Sequence, residues 1–359
     1  MAQPRNLLEA PSHPDPYPYY ASLRQERPLY FDARLGLWAA STCDAVEAAL
    51  HHPALRVRPT AEPVPRALAG TPAGEVFARL VRMNDGQFHA RHKPAVQQAA
   101  SRFTPAQVAR AAEAAASDLA ARLEANALLG ALPVQAVARL LGVPAALLDV
   151  TVRCVREFAD GIAAQASSQA VATANEAVRE LIAPWEAQGL DSVQSANRVA
   201  FMQQSLDATA GLLGNTVLLL RQRPELGTAE ASPEAWRRMV AEVARWDGPI
   251  QNTRRFAAAD LMLAGQRIAQ GQGVLLVLTS ANRDEALNRD PDLFDADRRD
   301  RRSLGFGAGG HACPGEAIAI EIAAASLRAL KAAGPLEHIF GLSTGFRPLS
   351  NARVPVFEN

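Results

Sequence analysis

The chain of 359 residues carries 37 basic and 37 acidic side chains and is 48% hydrophobic, which is enough apolar matter for a sizeable core. The balanced charge argues against a nucleic-acid or membrane-surface partner drawn in by long-range attraction. Cys43, Cys154 and Cys313 are an odd number with no close pair, so a disulfide framework and a C-x-x-C zinc site are both disfavoured, and a reducing compartment is indicated.

The opening MAQPRNLLEAPSHPDPYPYY has no apolar core behind its charges, and no later stretch holds about 18 uninterrupted apolar residues. The expectation is a cytoplasmic protein with no membrane contact. After the Pro-rich lead, LYFDARLGLWAAST (29–42) predicts two short strands around a turn, and CDAVEAALHHP a helix ended by its proline. FTPAQVARAAEAAASDLAARLEANA reads as one helix with Thr104 as cap and Pro105 at its first position. Further helices are predicted over LPVQAVARLLGVP, 150–185, 197–221 and SPEAWRRMVAEVARW. Strand character returns in DLMLAGQRIAQGQGVLLVL, around a turn at Gly265 and Gln266, and ANRDEALNRDPDLFDADRRDRR reads as a charged surface meander. With no repeat, linker or composition break, the expectation is one domain over 1–359, mainly α with a minor β portion.

The loop GFGAGGHACPG (305–315) allows two incompatible chemistries. Gly305, Gly307 and Gly310 satisfy G-x-G-x-x-G, but a dinucleotide fingerprint needs a buried strand before the glycines and a second strand ending in an acid. DRRDRRSL precedes them and only a short tail follows, so the phosphate reading fails on context. The alternative is that Cys313 is carried to a metal. Pro314 suits the first position of the helix PGEAIAIEIAAASLRALKAAG, which would set Cys313 at a helix N-terminus that favours a thiolate. The surrounding glycines let the backbone lie close against something flat.

At these residues the chain resembles the cytochrome P450 superfamily of heme-thiolate enzymes, whose ligand loop often reads F-G-x-G-x-H-x-C-x-G. Phe306, Gly307, Gly309, His311, Cys313 and Gly315 stand at every fixed position, with the family's usual alanine at Ala319. The resemblance implies a cytochrome P450 fold, with heme b (iron protoporphyrin IX) between a distal (I) and a proximal (L) helix. It makes Cys313 the iron ligand, with His311 the alternative, and Phe306, Gly307 and Gly315 part of the heme cradle. Glu242 and Arg245 match the family's E-x-x-R, and Arg298 in FDADR its later partner; together they imply a buried charged triad on the proximal side. His89, Lys93, Arg255 and His311 resemble its heme-propionate partners, with Lys93 where the family commonly has arginine.

The distal helix departs from the pattern. The family's A-G-x-[DE]-T falls on Gln204, Ser205, Leu206, Asp207 and Ala208, so the acid is present and the alcohol absent. Thr209 follows, but one residue is about 100° of helical rotation. Asp207, Ser205, Gln204 and Thr209 are the candidate catalytic residues. The chain is also shorter than is usual in the family, and the loss falls between Trp185 and the distal helix, which implies a smaller or more open lid.

The function so implied is a monooxygenase that hydroxylates or otherwise oxidises a small hydrophobic molecule with dioxygen and electrons from a separate ferredoxin or flavin reductase. The incomplete distal pair leaves two alternatives: a hydrogen-peroxide-dependent peroxygenase, and a non-oxidative heme enzyme or gas-binding protein. Arg298, Arg299, Arg301 and Arg302 are a candidate positive face for an acidic electron donor. Segments 56–70, 150–185 and 248–252, with the helix near Gln204, are expected to line the substrate space.

Overall fold

The computed structural model describes residues 3–228 and 231–358. Helix α1 (Tyr17–Glu26) leads into the hairpin of β1 (Leu29–Asp32) and β2 (Leu37–Ala40), then α2 (Cys43–His51) and the short β3 (Leu55–Arg56). A helical run follows: α3 (Pro72–Arg79), α4 (Gly86–Ser101), α5 (Pro105–Ala120), α6 (Ala125–Leu140), α7 (Leu148–Gly161), α8 (Ser168–Ala187), α9 (Ser192–Gln222) and α10 (Pro233–Trp246). Next come β4 (Thr253–Ala257), β5 (Leu261–Leu263), β6 (Gln266–Ile268), β7 (Gly273–Leu276) and α11 (Leu278–Asn282). After an irregular meander, α12 (Glu316–Ala333), α13 (Leu336–Phe340) and the hairpin of β8 (Leu342–Phe346) and β9 (Pro355–Glu358) complete the order. The largest sheet runs β1-β2-β7-β4-β3, with β2 and β7 parallel and the other pairs antiparallel. The architecture is mainly α with a minor β portion, as expected.

Element boundaries differ from expectation in several places, three of them with a local cause evident here. The alanine-rich run from Pro105 is broken after Ala120, where Arg122 pairs with Asp118 on α5 and Asp149 on α7. Alanine is the best helix former and gives no stop signal. Helix α6 then runs through Pro133 rather than starting near it, its middle being buried from Leu128 to Ala138; that packing offsets the roughly 3 kcal/mol a mid-helix proline costs. The 150–185 stretch divides into α7 and α8, the second capped by Ser167, whose side chain accepts from the Ala170 amide.

Helix α9 organises the rest. Asp191 caps it in a reciprocal capping box with Gln194, and 31 residues make it about 46 Å long. It packs against α3, α6, α7, α8, α10 and α12. Gly211 and Gly214 admit the C-terminal chain: a Cβ at 211 would lie 2.5 Å from the Arg353 carbonyl oxygen, and one at 214 would lie 2.8 Å from Pro355 Cδ. Only the four residues from Gln188 to Asp191 join α8 to α9. Among the described residues no helix is long and apolar enough to cross a membrane.

Asn197 near the start of α9 holds the segment entering α4. Its Oδ1 accepts from the Val81 amide at 3.1 Å, and its Nδ2 donates to the Arg79 carbonyl at 3.0 Å and to Val193 within its own helix at 2.8 Å. Asn197→Ala leaves a buried amide and a carbonyl unpaired, and should lower the unfolding free energy by about 2–4 kcal/mol, read from the chemical denaturation midpoint.

Candidate functional site

Helices α9 and α12 pack on one another but part at one end. Every residue from Thr209 to Val217 on α9 and from Glu321 to Leu327 on α12 is buried; earlier on each helix a stripe is left open, at Phe201, Gln204 and Ala208 on α9 and at Ala317 and Ile320 on α12, with Cys313 just before α12 exposed as well. Cys313 keeps accessible surface at this end, and Arg82 and Lys93 are near enough to bear on its thiol.

The ligand loop is folded by its own backbone. The Cys313 amide donates to the Phe306 carbonyl at 2.8 Å, closing the loop. Gly307, with φ of +72°, adopts the left-handed conformation that side chains rarely take, and a Cβ at Gly309 would approach His51 Cδ2 to 3.0 Å. Helix α12 starts two residues later than expected: Gly315, not Cys313, is its cap, and Pro314 lies in the preceding turn. The sulfur is instead addressed by the Gly315 amide, which donates to Cys313 Sγ at 3.4 Å. Burial pushes the Cys313 thiol above its ordinary pKa against that amide; Glu316 adds to the push, while Lys93 and Arg82 oppose it.

Three of the four predicted basic residues meet at this loop, and the fourth, Arg255 on β4, feels the Asp85 charge. His311 Nε2 lies 3.0 Å from Asp85 Oδ1, and Asp85 also accepts from the Val57 amide at 2.9 Å. Burial raises the Asp85 carboxyl, but His311 and the Val57 amide outweigh it and hold it below its usual range. The His89 ring stands 4.2 Å from that of His311, and its Nε2 is buried without a partner. Burial, then His311 and Lys93, bring the His89 pKa down to about 4. Lys93 Nζ donates to the Ala312 carbonyl at 2.8 Å. Arg255 is 6% exposed and donates only to Thr253 Oγ1 and the Arg254 carbonyl, with no carboxylate in ion-pair range among the described residues. Asp85, four residues before α4's His89, was not singled out from the sequence; its position as the residue capping α4 was the available signal.

This donor set fits a heme. An orphaned imidazole nitrogen, a buried guanidinium without a counter-charge and a lysine point to an anionic partner, and a raised thiol at the cleft wall is the soft ligand that a bound metal would deprotonate. Phe306, Gly307 and Gly315 would lie in the cradle.

Beneath the loop, Glu242 and Arg245 are both 0% exposed. Arg245 grips both Glu242 oxygens, at 2.6 and 3.0 Å. Arg298 joins at 3.2 Å, as anticipated, and Arg301 at 2.9 Å. This corrects the expectation of a free arginine face: Arg298 and Arg301 serve Glu242, and Arg302 pairs with Glu47 at 2.6 Å, leaving Arg299 as the cluster's exposed arginine outside these pairs. Burial raises the Glu242 carboxyl, but Arg245 and Arg301 outweigh it and hold it low.

The distal candidates separate. Asp207 Oδ1 is paired with Arg347 Nη1 at 2.7 Å, and the Ser205 hydroxyl donates to the Met202 carbonyl of its own helix at 2.7 Å. Thr209 is buried, whereas Gln204 and Ala208 share the half-open stripe. Arg347, 140 residues from Asp207, carried no sequence signal.

Glu242→Gln should cost about 3–5 kcal/mol, the usual effect of stripping a buried charge of its partner, measured by denaturation. Because the folded state holds this carboxyl low, its contribution is present above the ordinary carboxylate pKa and lost as pH falls through the folded value. The variant's stability should therefore fall less steeply in acid than that of the parent.

Residues 236–327 match the family model described as Cytochrome P450. Cytochrome P450-terp of Pseudomonas sp is 38% identical over 130 residues, which cover 36% of this chain and 30% of that relative. The biotin biosynthesis cytochrome P450 of Bacillus subtilis is 34% identical over 148 residues, covering 41% and 38%. The matched stretches thus span well under half the length of these curated relatives. In three dimensions the likeness extends further. The structure of P450 RauA with a biosynthetic intermediate of aurachin RE superposes with a TM-score of 0.79 at 22% identity, covering 97% of each chain. P450BioI in complex with an acyl carrier protein ligated to hexadec-9Z-enoic acid gives 0.77 at 23%, covering 96% of this chain and 98% of that one. The family model falls on α10, the meander, the ligand loop and most of α12, and the fold of the cytochrome P450 structures extends over nearly the whole chain.

Proposed function

We propose that the chain acts as one heme-thiolate monooxygenase unit that oxidises a small organic molecule in the cleft between α9 and α12. The observation that carries this reading is Cys313, set at the cleft wall with the Gly315 amide on its sulfur and His89, Lys93 and His311 around the same loop. Heme b, when bound, would supply the iron that activates the oxidant and oxidises the substrate. Cys313 would hold that iron, and Lys93 and Arg255 would pair with the propionates. His89, neutral when unpartnered because its pKa lies near 4, would gain an acceptor for its orphaned nitrogen. Phe201 and Ala208 would offer the substrate an apolar wall, and the short α8 to α9 turn a smaller lid. Electrons would come from a separate ferredoxin or flavin reductase.

One observation favours a peroxide-driven second reading. Dioxygen chemistry needs protons delivered at the distal wall, yet Asp207 is committed to Arg347, Ser205 to the Met202 carbonyl, and Ala208 has no hydroxyl. Gln204 is then the polar side chain on the open stripe, and an amide positions rather than donates protons. Hydrogen peroxide brings its own protons.

The purified protein, reduced and exposed to carbon monoxide, should show the red-shifted Soret band of thiolate ligation, and Cys313→Ser should lose it. A histidine-type band in the parent would remove the oxygenase reading. Ala208→Thr should then raise dioxygen-dependent turnover at least about tenfold if a missing proton relay limits it, with peroxide-driven turnover little changed. Equal effects on both would remove the relay argument.

A further inference from the structure

Gln204 is committed to nothing within the protein, while its polar neighbours on α9 are. The Ser205 hydroxyl donates to the Met202 carbonyl at 2.7 Å, and Asp207 pairs with Arg347 at 2.7 Å. The Gln204 carboxamide makes no hydrogen bond among the described residues, and neither of its polar atoms is shut away from the surrounding space. Between Ser195 and Val217 every side chain left open on this helix falls from Arg198 to Ala208. Gln204 stands in that open stretch, on the face it shares with Phe201 and Ala208.

The chain that covers the next part of this face shows what borders the opening. Gly211 continues the face of Gln204 and Ala208, and a Cβ there would lie 2.7 Å from Pro249 Cβ. From Pro249 the backbone runs antiparallel to the C-terminal segment: the Arg353 amide donates to the Pro249 carbonyl at 2.7 Å, the Gln251 amide to the Asn351 carbonyl at 2.9 Å, and Asn252 Nδ2 to the Ser350 carbonyl at 2.8 Å. That segment descends from Gly214 at Pro355 to Gly211 at Arg353, so its continuation brings Ser350 and Asn252 to the level where the stripe opens. Asn252 is 3% exposed, and its Oδ1 has no partner among the described residues yet is not shut away. The border thus adds a free acceptor beside the free acceptor and donor of Gln204. The charges closest by on α9, Asp207 and its partner Arg347, satisfy one another.

Resting on the monooxygenase reading, we propose that Gln204 is a specificity-determining residue of the cleft, and that the preferred substrates carry a neutral amide whose C=O and N–H pair with the Gln204 carboxamide. A carboxamide presents one donor and one acceptor side by side, and its complement is a group with both on the same side, a primary amide or a lactam. A ketone or an ester would use Gln204 Nε2 and leave Gln204 Oε1 and Asn252 Oδ1 without a donor, which a half-enclosed site penalises. Phe201 and Ala208 leave the rest of the substrate apolar.

The test uses the heme-loaded protein and imidazol-1-yl alkanamides of increasing chain length beside the matching methyl ketones, which keep the shape and the C=O and lose the N–H. The imidazole reports binding through the Soret shift, whatever the natural substrate. At the best chain length the amide should bind about tenfold more tightly than the ketone, the factor worth 1.4 kcal/mol. Gln204→Leu breaks no hydrogen bond within the protein, so it should keep heme content and the unfolding midpoint while erasing that preference. Gln204→Met, closer in length, should do the same and serves if the branched side chain disturbs packing. Equal binding of amide and ketone in the parent at every chain length, or a preference that survives both substitutions, overturns the proposal. Failure of the parent to take up heme would instead bring down the monooxygenase reading, and the Soret band of the parent alone tells the two failures apart.

Discussion

The position of Cys313 depends on one buried carboxylate. The meander that delivers the ligand loop has no regular secondary structure between Arg283 and Ala308, so its backbone groups need partners from elsewhere. Three guanidiniums supply many of them. Arg245 donates to the carbonyls of Asn282, Pro291 and Leu293, Arg298 to those of Arg289, Asp290 and Leu293, and Arg301 to those of Arg238 and Ala296. Three like charges stay together only because Glu242 lies among them, bonded to all three. One anion thereby holds an irregular loop in a fixed shape.

The cleft itself is a matter of where helix packing stops. From Thr209 onward α9 is surrounded, and Gly211 and Gly214 let the C-terminal chain lie directly on it. Toward its start the same helix has an open stripe, and α12 opens at its own start, where Cys313 lies. Two long helices and the ligand loop thus face the space, and the Asn197 clasp ties the entry to α4 onto one of the helices.

What was legible in the sequence was local. The ligand loop, the cap at Thr104 and the Glu242–Arg245 pair are all encoded within a few residues. What was not legible depends on distant segments. Nothing near Asp207 announces Arg347, and nothing near Glu242 announces Arg301 rather than a solvated arginine. The break between α5 and α6 was hidden because alanine favours helix on both sides of it. The start of α12 was misplaced because Pro314 suits a first helical position equally well in a turn.

Helix α4 shows what the cleft's contents mean for the protein as a whole. It spans 16 residues, of which Ala100 alone is buried, and Pro94 interrupts its hydrogen bonding. Few apolar contacts fasten it, while His89 and Lys93 on it reach the ligand loop. Such an element belongs to the low end of the local-stability range, and its amides should exchange with solvent long before those of α9. Anything that engages His89 and Lys93 binds the folded helix and not the frayed one, so occupancy of the cleft is coupled to its order by mass action. Cofactor capture and the last step of folding are in that sense a single equilibrium.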